Sequence, residues 1–238
     1  MTETVARVLV ESPLPQLDHL FDYRIPDALR GEVAVGQRVS MPLRSTGRIA
    51  QGWVVELGDT SAFSGTLADL KAVLTPHPVL PPMLYELARR LADRAAGVAS
   101  DVLRLAIPAR HVRAEKSFAT TEEPALAAVT PMPITGYPDD ASELLLAPGS
   151  RYALTTIPRL LTTQSHAIPH WAATFTELAA GVLSRSESAI LAVPDYRDQE
   201  ALERALRAVF PAERIVTVDA RQSAADRFRN HLRLVRGG

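Results

Sequence analysis

The hexapeptide Phe21-Asp22-Tyr23-Arg24-Ile25-Pro26 places two aromatics, an acid and a base directly before a proline. A plain edge strand needs none of these. On a strand, residues two apart share a face, so Phe21 and Tyr23 point one way and Asp22 the other. An aromatic ring can stack on a nucleobase, worth about 1–3 kcal/mol per base. A carboxylate repels phosphate but accepts a hydrogen bond from a terminal sugar hydroxyl or a base edge. That is chemistry suited to a strand end, where the next phosphate is missing. The competing reading is two core aromatics and a solvated acid. Lys71, one of two lysines in the chain, sits in an apolar stretch. It either contacts a last phosphate or lays its stem along an edge strand. Arg38 and Arg48 flank one strand pair, where they line a groove or supply ordinary surface charge.

Other reactive-looking residues carry less. His166 and His170 are four apart, but Pro169 lies between them and no acid completes a metal set. Asp195 follows a short apolar run without a catalytic partner. Arg89, Arg90 and Arg94 read as a solvated helix face offset by Glu86 and Asp93. No Ser–His–Asp set and no paired carboxylates stand out, so no catalytic residue, metal or cofactor is assigned. The chain has no cysteine, which excludes disulfides and thiolate metal sites. No run of 18 apolar residues occurs, so no membrane span is expected, and the N-terminus does not read as a signal peptide. The 26 bases and 27 acids nearly cancel, which is not the profile of a protein that coats duplex DNA by charge alone.

These residues need elements to hold them. Residues 5–11, 37–43 and 48–57 read as strands, the last two joined by a short turn. Residues 81–97 read as a helix with Leu84, Leu87 and Leu91 on one face, and Ser100 as the cap of a short second helix. Residues 109–140, rich in Thr, Pro and charge, read as a mostly irregular connection. Beyond them, helices are expected around Trp171–Leu178 and over 197–210, and a last one is opened by Ser223 and Asp226 as a capping box. Apolar runs at 189–194 and 215–218 read as two strands of a parallel α/β layer.

The first block resembles the N-terminal domain of the primosomal protein N′ family, the bacterial replication restart helicases. ARVLVESPL, FDYRIP, VGQRVSMPL, GWVVEL, LKAVL, the helix PPMLYELARRLADRAAG and GVASDVLRLAIPAR follow that family's order over residues 1–110. The resemblance implies a small β-barrel-like domain, a rearranged oligonucleotide-binding fold, with C-terminal helices. It implies binding of forked or 3′-ended DNA in a pocket whose family residues fall on Phe21, Asp22 and Lys71, beside Tyr23. Arg44 stands where the family usually has glycine, and its cation either narrows the pocket or adds a phosphate contact.

Residues 111–145 would then be a linker. Residues 146–238 resemble the start of the same family's helicase domain in degenerate form, a partial RecA-like α/β segment. Its phosphate loop is replaced by LLTTQSHAIPHW, and no GxxxxGK[ST] occurs in the chain. This resembles an actinobacterial branch that looks helicase-dead. The resemblance implies a cytoplasmic protein that recognises nascent 3′ ends at stalled forks in replication restart, with no cofactor. The rival readings are a scaffold for other primosome or single-strand-binding proteins, and a fragment of an ATP-dependent 3′–5′ helicase.

Overall fold

The computed structural model of the chain describes residues 4–43, 47–61, 63–120, 126–162 and 167–237. The chain divides into two compact units, Met1–Thr121 with Val218–Arg236 and Glu122–Thr217 with Gly237–Gly238.

The first unit is built on β1 (Val5–Val10), β2 (Leu20–Arg24), β3 (Arg38–Pro42), β4 (Ile49–Gly58), β5 (Ala68–Asp69) and β6 (Ala72–Val73). Their order across the sheet is β5-β2-β1-β4-β3-β6. β2 and β5 run parallel, and the other neighbours are antiparallel. The two outermost strands are consecutive in sequence, with only Leu70 and Lys71 between them. That much chain reaches roughly 10 Å, so the sheet must curl until its edges meet. The Leu70 amide donates to the Arg24 carbonyl at 3.0 Å and the Lys71 amide to the Ser40 carbonyl at 2.9 Å, stitching β2 to β3. The mixed, curled sheet agrees with a barrel-like N-terminal domain.

Alternation sorts the side chains. Val8, Tyr23, Val39, Met41, Val54 and Leu70 fill the inside of the curl. Leu9 and Trp53 point the other way and are covered by helices. Two local devices let β4 do both. A bulge pairs Arg7 with Glu56 but Val8 with Val54, leaving one extra residue on β4. At Gly52 the strands come so close that an added Cβ would sit 2.3 Å from the Leu9 carbonyl oxygen. Gly36, at φ +85°, turns the chain into β3 where a Cβ would meet the Leu80 carbonyl oxygen at 2.5 Å.

The covering helices are α1 (Pro82–Ala95), α2 (Ala99–Ala106) and α3 (Val112–Ala119). α1 forms where expected but buries its alanines most deeply: Ala88 and Ala92 are buried, while Leu87 and Leu91 stay about half exposed at 52% and 46%. Two alanines let the helix lie close to its neighbours, and of the leucine ridge only Leu84 packs against the core. α2 starts two residues early, with Val98 at the cap position. Asp18 Oδ1 accepts the Ala99 amide at 2.9 Å, and the expected cap Ser100 instead donates to the Ser12 carbonyl. α3 lies inside the stretch expected to be irregular. His111 Nδ1 accepts the Ala114 amide at its start, and buried Glu115 is held by Arg110 at 2.6–2.9 Å.

The second unit holds α4 (Ala141–Leu145), the antiparallel pair β7 (Leu160–Thr162) and β8 (Ala167–Pro169), α5 (His170–Leu183) and α6 (Tyr196–Arg207). α5 is its centre, with small residues Ala172, Ala173, Ala179 and Ala180 buried along it. Glu177 accepts the amide and hydroxyl of Thr135 at 2.9 and 2.7 Å. The strands expected at 189–194 and 215–218 do not form. Leu191, Val193 and Ile215 pack against the cores, but Ile190 is 97% exposed. An apolar run becomes a strand only when a neighbour takes its backbone hydrogen bonds, and here no ladder does. The parallel pairing expected of a RecA-like layer is therefore not present among the described residues. No helix there is long and apolar enough to cross a membrane.

α7 (Ala224–Arg236) returns to the first unit. Its start is as expected: Ser223 Oγ accepts the Asp226 amide at 3.1 Å and donates to the Asp226 carboxylate at 2.6 Å. Phe228 and Leu232 enter the helix-side core with Val79, Ala114 and Phe118. Buried His231 sets its Nε2 2.7 Å from the Val79 carbonyl oxygen. Burial lowers the His231 pKa, and that hydrogen bond offsets the effect only in part. A histidine depressed in the folded state takes up its proton more readily when unfolded. Its contribution to stability is therefore intact above pH ~6.5 and falls as the pH drops below that value. Urea titrations at pH 7.5 and 5.0 should show a stability loss on acidification that is smaller in His231→Gln. An identical loss in both chains would remove His231 as its source.

Candidate nucleic-acid interface

β2 carries the FDY residues in the alternation expected of them. Tyr23 is buried inside the curl, 3% exposed, and its hydroxyl donates to the Pro42 carbonyl at 3.1 Å. β1 and β4 separate β2 from β3 in the sheet, so the ring can reach Pro42 only across the interior. Phe21 lies on the same inner side, half buried, with the His19 ring 4.0 Å away centroid to centroid. Tyr23 therefore ties β2 to the base of the β3–β4 hairpin, where the Leu43 amide donates to the Arg48 carbonyl at 2.8 Å. Arg48 is exposed there. Arg44 lies outside the described residues.

Asp22 points to the opposite face. Register sets it beside Arg7, and Arg7 beside Glu56. Together they form an acid–base–acid row across three strands. Arg7 pairs with Glu56 at 2.5 Å and stands 3.7 Å from Asp22. The hydrogen bond to Glu56 raises the Arg7 pKa further. The Asp22 side chain is the most sheltered of the three, 14% exposed against 40% for Arg7 and 50% for Glu56. Ser61, just past the end of β4, donates its hydroxyl to Asp22 Oδ2. Phe63 follows, 50% exposed, its ring folded over Gly65.

Lys71 sits on the seam where the sheet edges meet, and its side chain is exposed. Its amide donates to the Ser40 carbonyl, while its ammonium makes no hydrogen bond among the described residues but favours the ionised Asp69 nearby. Next to it, Arg24 and Asp69 pair across β2 and β5 at 2.5 and 2.9 Å. The Arg24 hydrogen bond holds the Asp69 carboxyl below the usual carboxylate range. The β2–β5 register runs Tyr23 to Ala68 and Arg24 to Asp69, after which the chain crosses to β3 at Lys71, away from the Asp22 row on β1, β2 and β4. Arg38 lies away from both. It pairs with Glu11 and covers the Trp53 ring at 5.6 Å.

The fold thus gathers Tyr23, the base of the β3–β4 hairpin and the Lys71 seam at one part of the curl. Asp22 lies on its outside in a pre-built polar row, and Arg38 lies on the helix-covered face. Sequence reasoning missed Arg7, Glu56 and Ser61. The first two leave a signal, since each is the one charged residue of its strand. Ser61 leaves none, because its partner is 39 residues away. In the second unit, His170 is buried beside Thr174, and His166 lies outside the described residues. Asp195 caps α6, accepting the Arg197 and Asp198 amides at 2.8 and 3.1 Å, and these bonds lower its pKa.

The first unit is a curled β-domain with a helical cover and a sheltered carboxylate on β2, compatible with an oligonucleotide-binding-like domain. Residues 7–108 match the family model of the PriA 3′DNA-binding domain (3′BD). The chain is 33% identical over 227 residues to the "Probable replication restart protein PriA" of Mycobacterium tuberculosis (strain CDC 1551 / Oshkosh), covering 94% of this chain and 33% of that protein. The protein of the same name from Mycobacterium leprae (strain TN) is 31% identical over 228 residues, covering 94% and 34%. The "Replication restart protein PriA" of Bacillus subtilis (strain 168) is 32% identical over 105 residues, covering 44% and 13%. The chain is a PriA-like protein, and it spans about a third of the length of the mycobacterial relatives it matches.

Proposed function

We propose that the first unit binds DNA in replication restart and recognises the free 3′ end of a nascent strand at a stalled fork. The observation that carries this reading is the match of residues 7–108 to a 3′DNA-binding domain. The structure adds chemical support, because Asp22 is a sheltered acceptor already built to hold a hydroxyl. Lys71, Arg48 and, from the sequence, Arg44 supply the positive charge that a phosphate backbone needs. Phe21, Tyr23 and Arg38 complete the proposed set, the two inward residues by shaping the strand that presents Asp22. DNA recognition is assigned to residues 1–110 on the family match, although α3 and α7 pack with the same unit. Fluorescence anisotropy with matched forks ending in a 3′-hydroxyl or a 3′-phosphate tests the reading. Preference for the hydroxyl supports it. Equal affinity for both would leave a scaffold role in its place.

We infer further that residues 146–238, joined through 111–145, correspond to the start of a helicase region in degenerate form. The alignment with the mycobacterial relatives runs over 94% of the chain, well past residue 108. At the expected phosphate loop the sequence reads LLTTQSHAIPHW, without the glycines and lysine that cradle β- and γ-phosphates. Calorimetric titration of the 238-residue chain with Mg-ATP should show no saturable binding. A Kd tighter than roughly 100 μM would mean a real nucleotide pocket and overturn this part.

A further inference from the structure

Asp22 accepts from a hydroxyl of its own chain. Ser61 Oγ donates to Asp22 Oδ2 at 2.5 Å, and the same oxygen accepts the Phe63 amide at 3.0 Å. The amide bond fixes where the hydroxyl stands, and the short contact fixes where it points. The other carboxylate oxygen faces Arg7 at 3.7 Å, with the side chain only 14% exposed. Little room remains for a second donor while Ser61 holds its place.

We propose that Ser61 is an internal stand-in for the strand-terminal hydroxyl, so that end binding exchanges one hydroxyl for another on Asp22 Oδ2. This rests on the reading of Asp22 as the 3′-end acceptor. A sheltered carboxylate stripped of its donor is costly, so the bond to Ser61 yields only to a ligand that offers a donor in return. A terminal hydroxyl does. A dideoxy end has nothing to donate, and an ionised 3′-phosphate brings further acceptors and like charge. Ser61 thereby acts as an internal competitor: it lowers affinity for the correct end and leaves the incorrect ends as weak as before. The Phe63 amide keeps Ser61 close by, ready to re-form the bond when the end leaves.

The test compares the full chain with Ser61→Ala and Ser61→Thr on forks ending in 3′-hydroxyl, dideoxy and 3′-phosphate. Ser61→Ala should bind the hydroxyl end roughly two- to tenfold more tightly, the worth of one net hydrogen bond. Its affinity for the other two ends should not change, and Ser61→Thr should match the unaltered chain. Weaker hydroxyl binding by Ser61→Ala would make Ser61 a support for Asp22 and overturn the exchange. So would no change. A second readout needs no variant: the Phe63 amide resonance should shift on adding a 3′-hydroxyl oligonucleotide and stay put with its dideoxy counterpart. If the unaltered chain fails to distinguish hydroxyl from dideoxy ends, the reading of Asp22 itself falls and takes this inference with it. If it distinguishes them but Ser61→Ala gains nothing, only the exchange falls.

Discussion

Phe228→Ala should destabilise the first unit by about 3–5 kcal/mol, the usual range for removing a fully buried phenylalanine. Phe228 is 1% exposed and joins the same core as Trp53, Leu103 and Phe118. Its helix arrives from more than a hundred residues later in the chain, so the effect tests the assembly of the unit as well as its packing. Deleting residues 218–238 should cost at least as much, because Leu232 and the His231 bond to Val79 go too. Urea unfolding followed by Trp53 fluorescence reads the change. Phe228→Leu, which keeps part of the contact, should fall between the two chains and covers the case in which the alanine variant does not fold. A loss below about 1 kcal/mol would mean that α7 is an ornament on the unit and that residues 1–121 hold together without it.

That docking shows what a sequence conceals. Periodicity is local information, so it found the strands β1, β3 and β4 and the helices α1, α5, α6 and α7. It also found the Ser223–Asp226 start of α7, because a cap and its partner lie three residues apart. It could not say where α7 packs, since that depends on a hole between α3 and the sheet. It placed Leu84 correctly but Leu87 and Leu91 wrongly on α1, because leucines outweigh alanines in any apolar count, while close approach to a neighbour favours Ala88 and Ala92. β5 and β6 are two residues each, too short to alternate, and exist because Arg24 and Ser40 offer carbonyls to the chain between them. At the candidate site, the opposed directions of Asp22 and its two aromatics were legible from parity alone. The partners of Asp22 were not: Arg7 is set by strand register and Ser61 by the path of a loop.

Asp22→Ala should weaken binding to 3′-hydroxyl forks by roughly tenfold and leave 3′-phosphate forks unchanged or slightly tighter. A hydrogen bond to a charged acceptor is worth about 1.5–3 kcal/mol, which alone predicts a ten- to hundredfold loss. The lower end applies because the bound hydroxyl must first displace Ser61, so part of its gain replaces a bond the chain already had. In a Ser61→Ala background that offset disappears, and the loss on adding Asp22→Ala should grow toward a hundredfold. The difference between the two losses is the coupling energy of Asp22 and Ser61. Removing the carboxylate also removes repulsion from a terminal phosphate, which is why the two ends should respond differently. Arg7 does not confuse the result, because Glu56 keeps it paired at 2.5 Å. Lys71→Ala supplies the contrast. Its exposed ammonium meets backbone charge, so both ends should weaken together and the salt dependence of log K should flatten by about one counterion. Anisotropy at two salt concentrations separates the patterns. If Asp22→Ala weakens both ends equally and flattens nothing, the carboxylate only holds the polar row of β1, β2 and β4 in shape, and the hydroxyl is read elsewhere.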